Sequence, residues 1–275
     1  MIISVYQARV LQSALQSGKK EVRISLDLGL TESIVKVEAD RFAFPERQVL
    51  ESADIRKIMK KDTTCFFIEN NTLYPVHLFS EDTQKFYKLF PTKDWPSLEI
   101  SGIRMHVTKS MSPKEDTEKK LSFINPKGRV LDTCTGLGYT AILASKTADE
   151  VLTYEIDENV IELQRWNPHS SALFASQKIK RHHGDIFDEI KRLPSSSFDA
   201  VMHDPPRLAL STLLYSGDFY RQLFRVMKKG GVLYHYTGDP GSKKGQDIRI
   251  GIMHRLKDAK FKDVSRVFNG VVAEK

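Results

Sequence analysis

The chain has 275 residues, 40% hydrophobic and 28% charged, a composition that suits one large or two smaller folded domains. No apolar run approaches the about 20 residues that a membrane-spanning helix needs, and residues 1–20 lack the apolar stretch of a signal peptide. Cys65 and Cys134 are too few for a disulfide framework or a thiolate zinc site, so we expect a reducing, cytoplasmic location and no metal.

The net charge of +7 raises the question of an anionic partner such as RNA. Basic residues form three loose clusters, at residues 56–61, 178–183 and 243–244, and none of them is rich in arginine. Runs of this kind are usually solvated helix faces or loops. Nucleic acid is therefore permitted as a partner but not indicated.

The first part of the chain has the pattern of a small β-rich domain with some helix. Short strands are expected at residues 23–27, 34–37, 65–68, 73–77 and 103–106. Asn70 and Asn71 suit a hairpin turn, and a helix is expected from Ala53 to Lys60. The strand pattern stops in polar residues, which predicts domains at 1–110 and 111–275. The role of the first domain stays open, with substrate, a partner or a homo-oligomer all compatible.

After the boundary, strands alternate with helices, which is typical of a parallel α/β sheet. Ser112 to Glu115 has the form of a capping box with proline at the first helical position, so a helix is expected from Pro113 to about Ile124. Further helices are expected over residues 140–145, 159–166 and 218–227. Strands are expected over residues 130–132, 151–154, 178–183 and 232–237, and before Asp204.

The last elements are predicted from an apolar stripe and a turn signal. Gly230-Gly231 is expected to separate the last of these helices from strand 232–237. A core-facing helix is indicated by the apolar stripe of Ile248, Ile252, Met253 and Leu256. Residues 264–268 and 271–273 are expected to form an antiparallel hairpin, because Asn269-Gly270 is a strong two-residue turn signal.

Residues 130–140 are predicted to form a buried strand that breaks into a tight glycine loop and opens a helix. Glycine lets the backbone turn at positive φ and lets a ligand lie against the main chain, so Gly136 and Gly138 are expected to contact an adenosyl cofactor. Asp132 and Thr133, at the end of the strand, are expected to line the same site. A lone Gly-x-Gly is a weak signal, since ordinary strand-to-helix turns carry the same glycines.

The strands that follow also end on acidic residues, which makes coincidence less plausible. Glu155 ends the next strand about 20 residues on, where an acid accepts hydrogen bonds from ribose hydroxyls, and Asp157 lies beside it. Asp185, followed by Ile186, ends the third strand and suits an adenine amino group. The fourth strand ends at Asp204.

This order of motifs resembles that of the class I S-adenosylmethionine-dependent methyltransferases, over roughly residues 112–275. In that family the loop after the first strand holds the methionine part, the next acid holds the ribose, and the third strand's acid holds adenine. The resemblance implies S-adenosyl-L-methionine as the cofactor. It also implies an α/β fold: a Rossmann-like, doubly wound sheet of seven strands that ends in an antiparallel hairpin, here behind a smaller β-rich domain.

Asp204 is the expected catalytic residue. A carboxylate at the end of the fourth strand accepts hydrogen bonds from an attacking amine, and the stiff Pro205-Pro206 turn directs backbone carbonyls to the same place. The segment resembles the Asp/Asn-Pro-Pro-aromatic motif of amino methyltransferases, but Arg207 replaces the aromatic residue, which puts a nucleobase target in doubt. Pro205, Arg207 and Tyr215 are expected to contact the acceptor, and a nitrogen acceptor is favoured.

A second resemblance, carried by residues 155–162, 214–220 and 229–233, is to the spermidine synthase branch of the same fold. That branch also has a small β domain in front, and it transfers an aminopropyl group from decarboxylated S-adenosylmethionine to a polyamine. The glycine loop here departs from that branch's Gly-Gly-Gly-Asp-Gly pattern. The branch's paired aspartates are also reduced to Asp204, unless Asp185 or Asp218 helps.

We therefore predict a methyltransferase that acts on a nitrogen acceptor, with aminopropyl transfer as the alternative. A cofactor-binding protein without activity is the third hypothesis. The acceptor stays open between a small molecule, a protein and RNA, and no membrane partner is expected.

Overall fold

The computed structural model describes residues 1–238 and 243–275, and the chain divides into two compact units. The first unit consists of Met1–Lys114 and Glu162–Ser171, and the second of Glu115–Ile161 and Ala172–Lys275. The chain therefore returns to the first unit in the middle of the second. The predicted boundary near residue 110 does not include this return.

Residues 1–114 of the first unit contain three small antiparallel sheets and two complete α-helices, as the expected β-rich domain requires. Its strands are β1 (Ile2–Ile3), β2 (Glu21–Ile24), β3 (Ser33–Val37), β4 (Arg41–Ala43), β5 (Val49–Glu51), β6 (Phe66–Glu69), β7 (Thr72–Pro75), β8 (His77–Ser80), β9 (Lys85–Phe90), β10 (Ser97–Ile100) and β11 (Ile103–Arg104). Its helices are α1 (Val5–Gln16) and α2 (Ser52–Lys60). The sheets have the strand orders β1-β6-β7, β2-β3-β4-β5 and β11-β10-β9-β8.

Local sequence explains how the elements of this unit begin and turn. Ser4 caps α1, because its hydroxyl accepts the Tyr6 N–H (3.3 Å) while its own N–H donates to Gln7 Oε1 (3.0 Å). Asn70 and Asn71 both adopt left-handed φ angles of 50° and 59°, as a tight two-residue turn between β6 and β7 requires. The predicted turn is therefore confirmed.

The second unit is built on one seven-stranded sheet. Its strands are β12 (Arg129–Asp132), β13 (Glu150–Glu155), β14 (Ile179–His183), β15 (Phe198–His203), β16 (Met227–Tyr236), β17 (Lys262–Val267) and β18 (Gly270–Glu274). The remaining helices of the chain are α3 (Pro113–Leu121), α4 (Tyr139–Ala144), α5 (Glu158–Trp166), α6 (Ser171–Ala175), α7 (Ile186–Glu189), α8 (Gly217–Val226) and α9 (Lys243–Asp258).

The order of this sheet is β14-β13-β12-β15-β16-β18-β17. The first five strands are parallel, and β18 pairs antiparallel with both β16 and β17. This is the predicted Rossmann-like sheet of seven strands ending in an antiparallel hairpin, and the prediction is confirmed.

Hydrophobic side chains cover both faces of the sheet, because successive residues of a strand point to opposite sides. On β12, Val130 packs with α3 and α4 residues such as Leu121 and Ala141, whereas Leu131 packs on the other face, with residues of α8 and α9 that include Leu223 and Ile252. A sheet buried on both faces leaves the ends of its strands as the place where polar groups can meet a ligand.

Glycine packing accounts for two differences from the predicted boundaries. Helix α8 ends at Val226, and Gly231 lies inside β16 instead of between the helix and the strand. A glycine is needed there because a Cβ would lie 2.9 Å from the Lys228 carbonyl oxygen. The hairpin turn uses Phe268 and Asn269, so Gly270 is the first residue of β18, where its would-be Cβ lies 2.6 Å from the His235 carbonyl oxygen. Both glycines permit close strand contacts.

Other expectations about this unit have mixed outcomes. Helix α3 begins at Pro113 as predicted but ends at Leu121, before the expected Ile124. Ile252 and Leu256 of the predicted stripe are buried in the core, which confirms α9 as a core helix. Lys243 and Lys244, one of the three basic clusters, lie outside the residues whose side chains are described.

A search of residues 1–238 and 243–275 finds no helix with the length and apolar character needed to cross a membrane.

Candidate active site

The candidate site lies at the carboxyl ends of the parallel strands of the second unit. Strand β12 lies beside β15, and the connection from β12 to β13 runs along the sheet in the opposite direction from the connection of β15 to β16. In open α/β sheets, ligands bind in the crevice at such a switch point. The ends of β12, β13, β14 and β15 and the loops after them carry the residues that were predicted to bind and react.

The loop after β12 turns through two glycines with left-handed backbones, Gly136 (φ 53°) and Gly138 (φ 83°). A Cβ on Gly136 would meet no atom within 4 Å, so its backbone borders open space that a ligand can occupy. A Cβ on Gly138 would lie 2.2 Å from Leu173 of α6. Gly138 is thus required by packing, and its predicted role as a cofactor contact is supported less well than that of Gly136.

Asp132 and Thr133 lie beneath this loop. Asp132 is 1% exposed, and its carboxylate accepts hydrogen bonds from the hydroxyls of Thr140 (2.9 Å) and Thr153 (2.6 Å). Burial raises the pKa of Asp132 to about 7. Thr133 is also buried, with its hydroxyl 2.7 Å from His203 Nδ1. Both residues support the loop from below, so their direct contact with a cofactor stays a prediction.

Glu155, at the end of β13, is joined to the glycine loop. Its Oε2 accepts the Gly136 N–H (2.8 Å), and its Oε1 accepts the Asp157 N–H (3.0 Å). Burial raises the pKa of Glu155 to about 7, although both backbone hydrogen bonds oppose that effect. Asp157 in turn caps α5 by accepting the Asn159 N–H (3.0 Å). The carboxylate expected on the ribose is therefore beside the one open glycine of this loop.

Asp185 follows β14 and caps the short helix α7, where its Oδ1 accepts the Phe187 N–H (2.8 Å). The neighbouring Ile186 is buried in the core, with a side chain that is 3% exposed. Asp185 therefore has the placement expected for an adenine contact, at the end of the third strand. The roles of both residues in cofactor binding stay predictions.

Asp204 follows β15 and is ion-paired with a lysine that the sequence did not bring to attention. Lys120 Nζ lies 2.8 Å from Asp204 Oδ2 and 2.7 Å from Asp116 Oδ2, and both Lys120 and Asp116 belong to α3. The ring of Tyr236, the last residue of β16, has its centroid 4.5 Å from the same nitrogen. Burial would lower the pKa of Lys120, but the charges of Asp204 and Asp116 raise it above its ordinary value.

The Pro-Pro turn after Asp204 is fixed from below by Tyr215. The Tyr215 hydroxyl donates to the Pro206 carbonyl oxygen (2.9 Å), and Tyr215 is only 3% exposed. Pro205 is buried, whereas Arg207 is exposed. Burial raises the pKa of the Tyr236 phenol, and the charge of Arg207 is close enough to oppose that rise. Contact of Pro205, Arg207 and Tyr215 with an acceptor stays a prediction, and the structure shows Tyr215 as a support of the turn.

Two histidines are buried under the strand ends. His203 Nε2 lies 3.0 Å from the Leu214 carbonyl oxygen, and His235 Nε2 lies 2.8 Å from the Tyr220 hydroxyl. The two imidazole rings have centroids 4.3 Å apart. Burial lowers the pKa of His203 to about 3 and that of His235 well below its ordinary value. Both rings are therefore neutral parts of the core at physiological pH.

The arrangement is compatible with the predicted pocket for an adenosyl sulfonium. Gly136 offers open backbone with the Glu155 carboxylate beside it, and the contacts of Glu155 with ribose and of Asp185 with adenine stay predictions. Acidic groups are also close together, since the charge of Asp204 raises the pKa of Asp132. A cationic sulfur suits such surroundings. Within the described part of the chain, no three His, Cys, Asp or Glu side chains are grouped as a metal site requires.

Comparisons with known proteins agree with this fold. Residues 133–260 match the spermine/spermidine synthase domain family. The uncharacterized protein MJ1233 of Methanocaldococcus jannaschii is 43% identical over 98% of this chain and 94% of its own length. A polyamine aminopropyltransferase of Prochlorococcus marinus (strain MIT 9312) is 31% identical over half of this chain and half of its own length. A spermidine synthase solved with the transition state analogue AdoDATO superposes with a TM-score of 0.59 at 19% identity, over 74% of this chain and 76% of that one.

These matches correct the prediction of function. Methyl transfer to a nitrogen acceptor was the main hypothesis, and it is wrong: the matching domain family and the relative of known activity are those of aminopropyl transfer. The broader prediction of a transferase with a Rossmann-like fold is supported, as is a derivative of S-adenosylmethionine as donor, whereas S-adenosylmethionine itself is not.

Proposed function

We propose that this chain, which belongs to the same family as the protein MJ1233, is an aminopropyltransferase. Its donor would be decarboxylated S-adenosylmethionine, and its acceptor an amine of the polyamine class. The observation that carries the proposal is the match to the synthase domain, because residues 133–260 contain the glycine loop, Glu155, Asp185 and Asp204.

The donor is expected to lie over the loop after β12. Its ribose hydroxyls would donate to Glu155, its adenine amino group to Asp185, and its sulfonium would lie among the acidic groups of the strand ends. The open space at Gly136 supports this placement, since a ligand can lie against the main chain there.

The chemistry requires a neutral amine held in line with a carbon–sulfur bond. The acceptor nitrogen forms a bond to the aminopropyl carbon, the bond from that carbon to sulfur breaks, and the electron pair stays on sulfur as the thioether methylthioadenosine leaves. The new ammonium then releases a proton to a carboxylate or to water. Asp204 is the residue we expect to orient the nitrogen and receive that proton.

A second carboxylate supports an amine acceptor. The paired aspartates of the spermidine synthase branch are reduced to Asp204 in the sequence, but the fold brings Asp116 of α3 to the same cluster, through Lys120. Of the two acids considered from the sequence, Asp218 is exposed and pairs with Arg221 on its own helix, and Asp185 caps α7. We therefore take the second acid from α3, before the matched domain begins.

The direct test is to incubate the purified chain with decarboxylated S-adenosylmethionine and a series of linear diamines and polyamines, and to identify products by mass spectrometry. We expect an acceptor heavier by one aminopropyl group together with methylthioadenosine, and none of this product from the Asp204→Ala variant. A chain that binds methylthioadenosine but forms no aminopropylated amine across the series would contradict the proposal.

A further inference from the structure

Helix α3 places two charged side chains at positions that face the core. Its buried residues have the spacing of a helix face that packs on a sheet: Pro113, Asp116, Thr117, Lys120 and Leu121. The side chains of Asp116 and Lys120 are 0% and 4% exposed. Burying ions costs several kcal/mol each unless they are paired, and apolar residues of similar volume fill such positions equally well. Packing alone therefore does not explain this pair.

The ammonium of Lys120 occupies a site built for a cation. It contacts one carboxylate from its own helix, one from the end of β15, and the aromatic face of Tyr236. Carboxylates and aromatic faces are the groups that bind ammonium ions in proteins. Asp204 is the most exposed of the three charged residues, since its side chain is 20% exposed whereas those of Lys120 and Asp116 are 4% and 0% exposed.

The charges of Asp116, Asp204 and Lys120 do not balance. Two carboxylates face one ammonium, which leaves one negative charge in excess when both acids are ionised. Asp116 Oδ1 accepts no hydrogen bond from any residue that the structure describes, and burial raises the pKa of Asp116 while Lys120 opposes that rise. An acceptor amine beside Asp204 becomes an ammonium ion when its nitrogen is alkylated. That new positive charge would balance the excess negative charge of the cluster.

We propose that Lys120 is a positioning residue for Asp204, held in place by Asp116. It fixes Asp204 Oδ2, so that Oδ1 is the atom that faces the acceptor nitrogen. This inference rests on the proposed function and deepens it, because it makes the acceptor site depend on three residues from two elements. The rival interpretation is a tether that only attaches α3 to the sheet.

The two interpretations differ when the pair is replaced by apolar residues. Lys120→Met alone leaves Asp116 buried without a partner and is expected to unfold easily, so Lys120→Met combined with Asp116→Leu is the informative variant. We expect this double variant to fold and to bind methylthioadenosine as the wild type does, but to lose about 10- to 100-fold in kcat/KM for the amine acceptor. Lys119→Met, an exposed neighbour on α3, is the matched control and should keep wild-type activity.

A mutant cycle with Asp204→Asn separates positioning from a general effect. If Lys120 acts through Asp204, the double replacement should cause little further loss in the Asp204→Asn background. If the fold-losses in kcat/KM of the Asp204→Asn variant and of the double replacement multiply when combined, Lys120 acts independently of Asp204. Wild-type kcat/KM in the folded double variant would mean that the pair only attaches α3 to the sheet. Either result overturns the proposal.

A binding experiment tests the cation site even if no aminopropyl transfer is found. Lys120→Ala is expected to be less stable than the wild type, because Asp116 loses its partner, so it is prepared at low temperature. Its cavity between the carboxylates should take ethylguanidinium, a cation too weakly acidic to act as an acceptor amine. We expect millimolar ethylguanidinium to raise the unfolding temperature of Lys120→Ala but not that of the wild type or of Lys119→Ala. Stabilisation without any transferase activity in the wild type would reject the proposed function alone, and equal responses of all three proteins would reject the cation site.

Discussion

Glu155 is the residue on which the donor site depends most directly. One of its oxygens already accepts the Gly136 N–H, and the carboxylate is held at the end of β13 where ribose hydroxyls are expected. Glu155→Ala should weaken binding of methylthioadenosine by about 1.5–3 kcal/mol, the range for hydrogen bonds to a charged group. Isothermal titration calorimetry measures this loss.

The control for that experiment is Glu158→Ala. Glu158 lies at the start of α5, three residues from Glu155, and is exposed. Its removal deletes the same side chain from a neighbouring exposed position and should leave the affinity within error of the wild type. Unchanged affinity in a folded Glu155→Ala variant would mean that the ribose binds elsewhere.

Asp204 is the residue on which turnover depends. Asp204→Asn keeps the shape and a carbonyl oxygen but removes the charge that accepts a proton from the acceptor amine. We expect kcat to fall by about 10²- to 10⁴-fold while the affinity for methylthioadenosine changes little. Asp218→Asn, at the exposed start of α8, is the matched control. Steady-state kinetics with wild-type rates in Asp204→Asn would remove this residue from the mechanism.

Among the elements, the loop between β12 and α4 contains two glycines that are needed for different reasons. Gly138→Ala should lower the free energy of unfolding by about 1–2 kcal/mol for the left-handed backbone and by about 1–3 kcal/mol more for the clash with Leu173. Gly136→Ala should cost only the backbone share, because nothing lies within 4 Å of the new methyl group. Urea denaturation of both variants measures the difference, and equal losses would contradict the packing argument.

The parallel sheet was predictable because four of its strands end in a sequence signal, and the hairpin was predictable from Asn269-Gly270. Glycines, acids or prolines follow β12, β13, β14 and β15 at the carboxyl ends, which meet at one edge of a parallel sheet. Helix α1 was not predicted, although Val5, Ala8, Leu11 and Ala14 are buried on one face. These residues are spaced three apart and two of them are small, so the apolar stripe is weak in the sequence.

The candidate site was predictable only in part. Glu155 ends β13 and Asp204 follows β15, and strand order alone brings such residues to one edge of the sheet. Asp116 and Lys120 lie 88 and 84 positions before Asp204 in a helix that reads as polar, and only its packing turns them inward. Their spacing of one helical turn suggests an ordinary surface ion pair. Burial, which no local pattern reports, distinguishes this pair from the many that are solvated.

For the molecule as a whole, the lowered pKa of the buried His203 allows a prediction of how the free energy of unfolding depends on pH. The pKa of His203 is about 3 in the folded chain and about 6.5 when unfolded, so the unfolded chain binds more protons between these values. This group's contribution is complete above about pH 6.5 and is lost as the pH falls toward 3. His203→Gln should make the loss of unfolding free energy less steep by up to about 1.4 kcal/mol per pH unit in that window.

Two acids change the pH dependence of the unfolding free energy in the direction opposite to His203, so each variant must be compared with the wild type. Asp132 and Glu155 have pKa values raised to about 7 by burial, and their contributions fall as the pH rises from about 4 through 7. Chemical denaturation at several pH values should therefore show opposite slope changes for His203→Gln and Glu155→Gln. The exposed His254→Gln is the control, and a His203→Gln curve parallel to it would contradict the assignment.

The return of the chain to the first unit also sets the order in which the protein can be completed during synthesis. Within that unit, His169 Nε2 lies 3.0 Å from the Leu28 carbonyl oxygen, and the His169 ring lies 5.5 Å from that of Trp95. A ribosome adds residues in sequence, so the first unit waits for residues that follow β12, α4 and β13 of the second. The amino-terminal unit is therefore finished only after the first strands of the second unit have been made, and a nascent chain released before residue 171 would carry an incomplete amino-terminal unit.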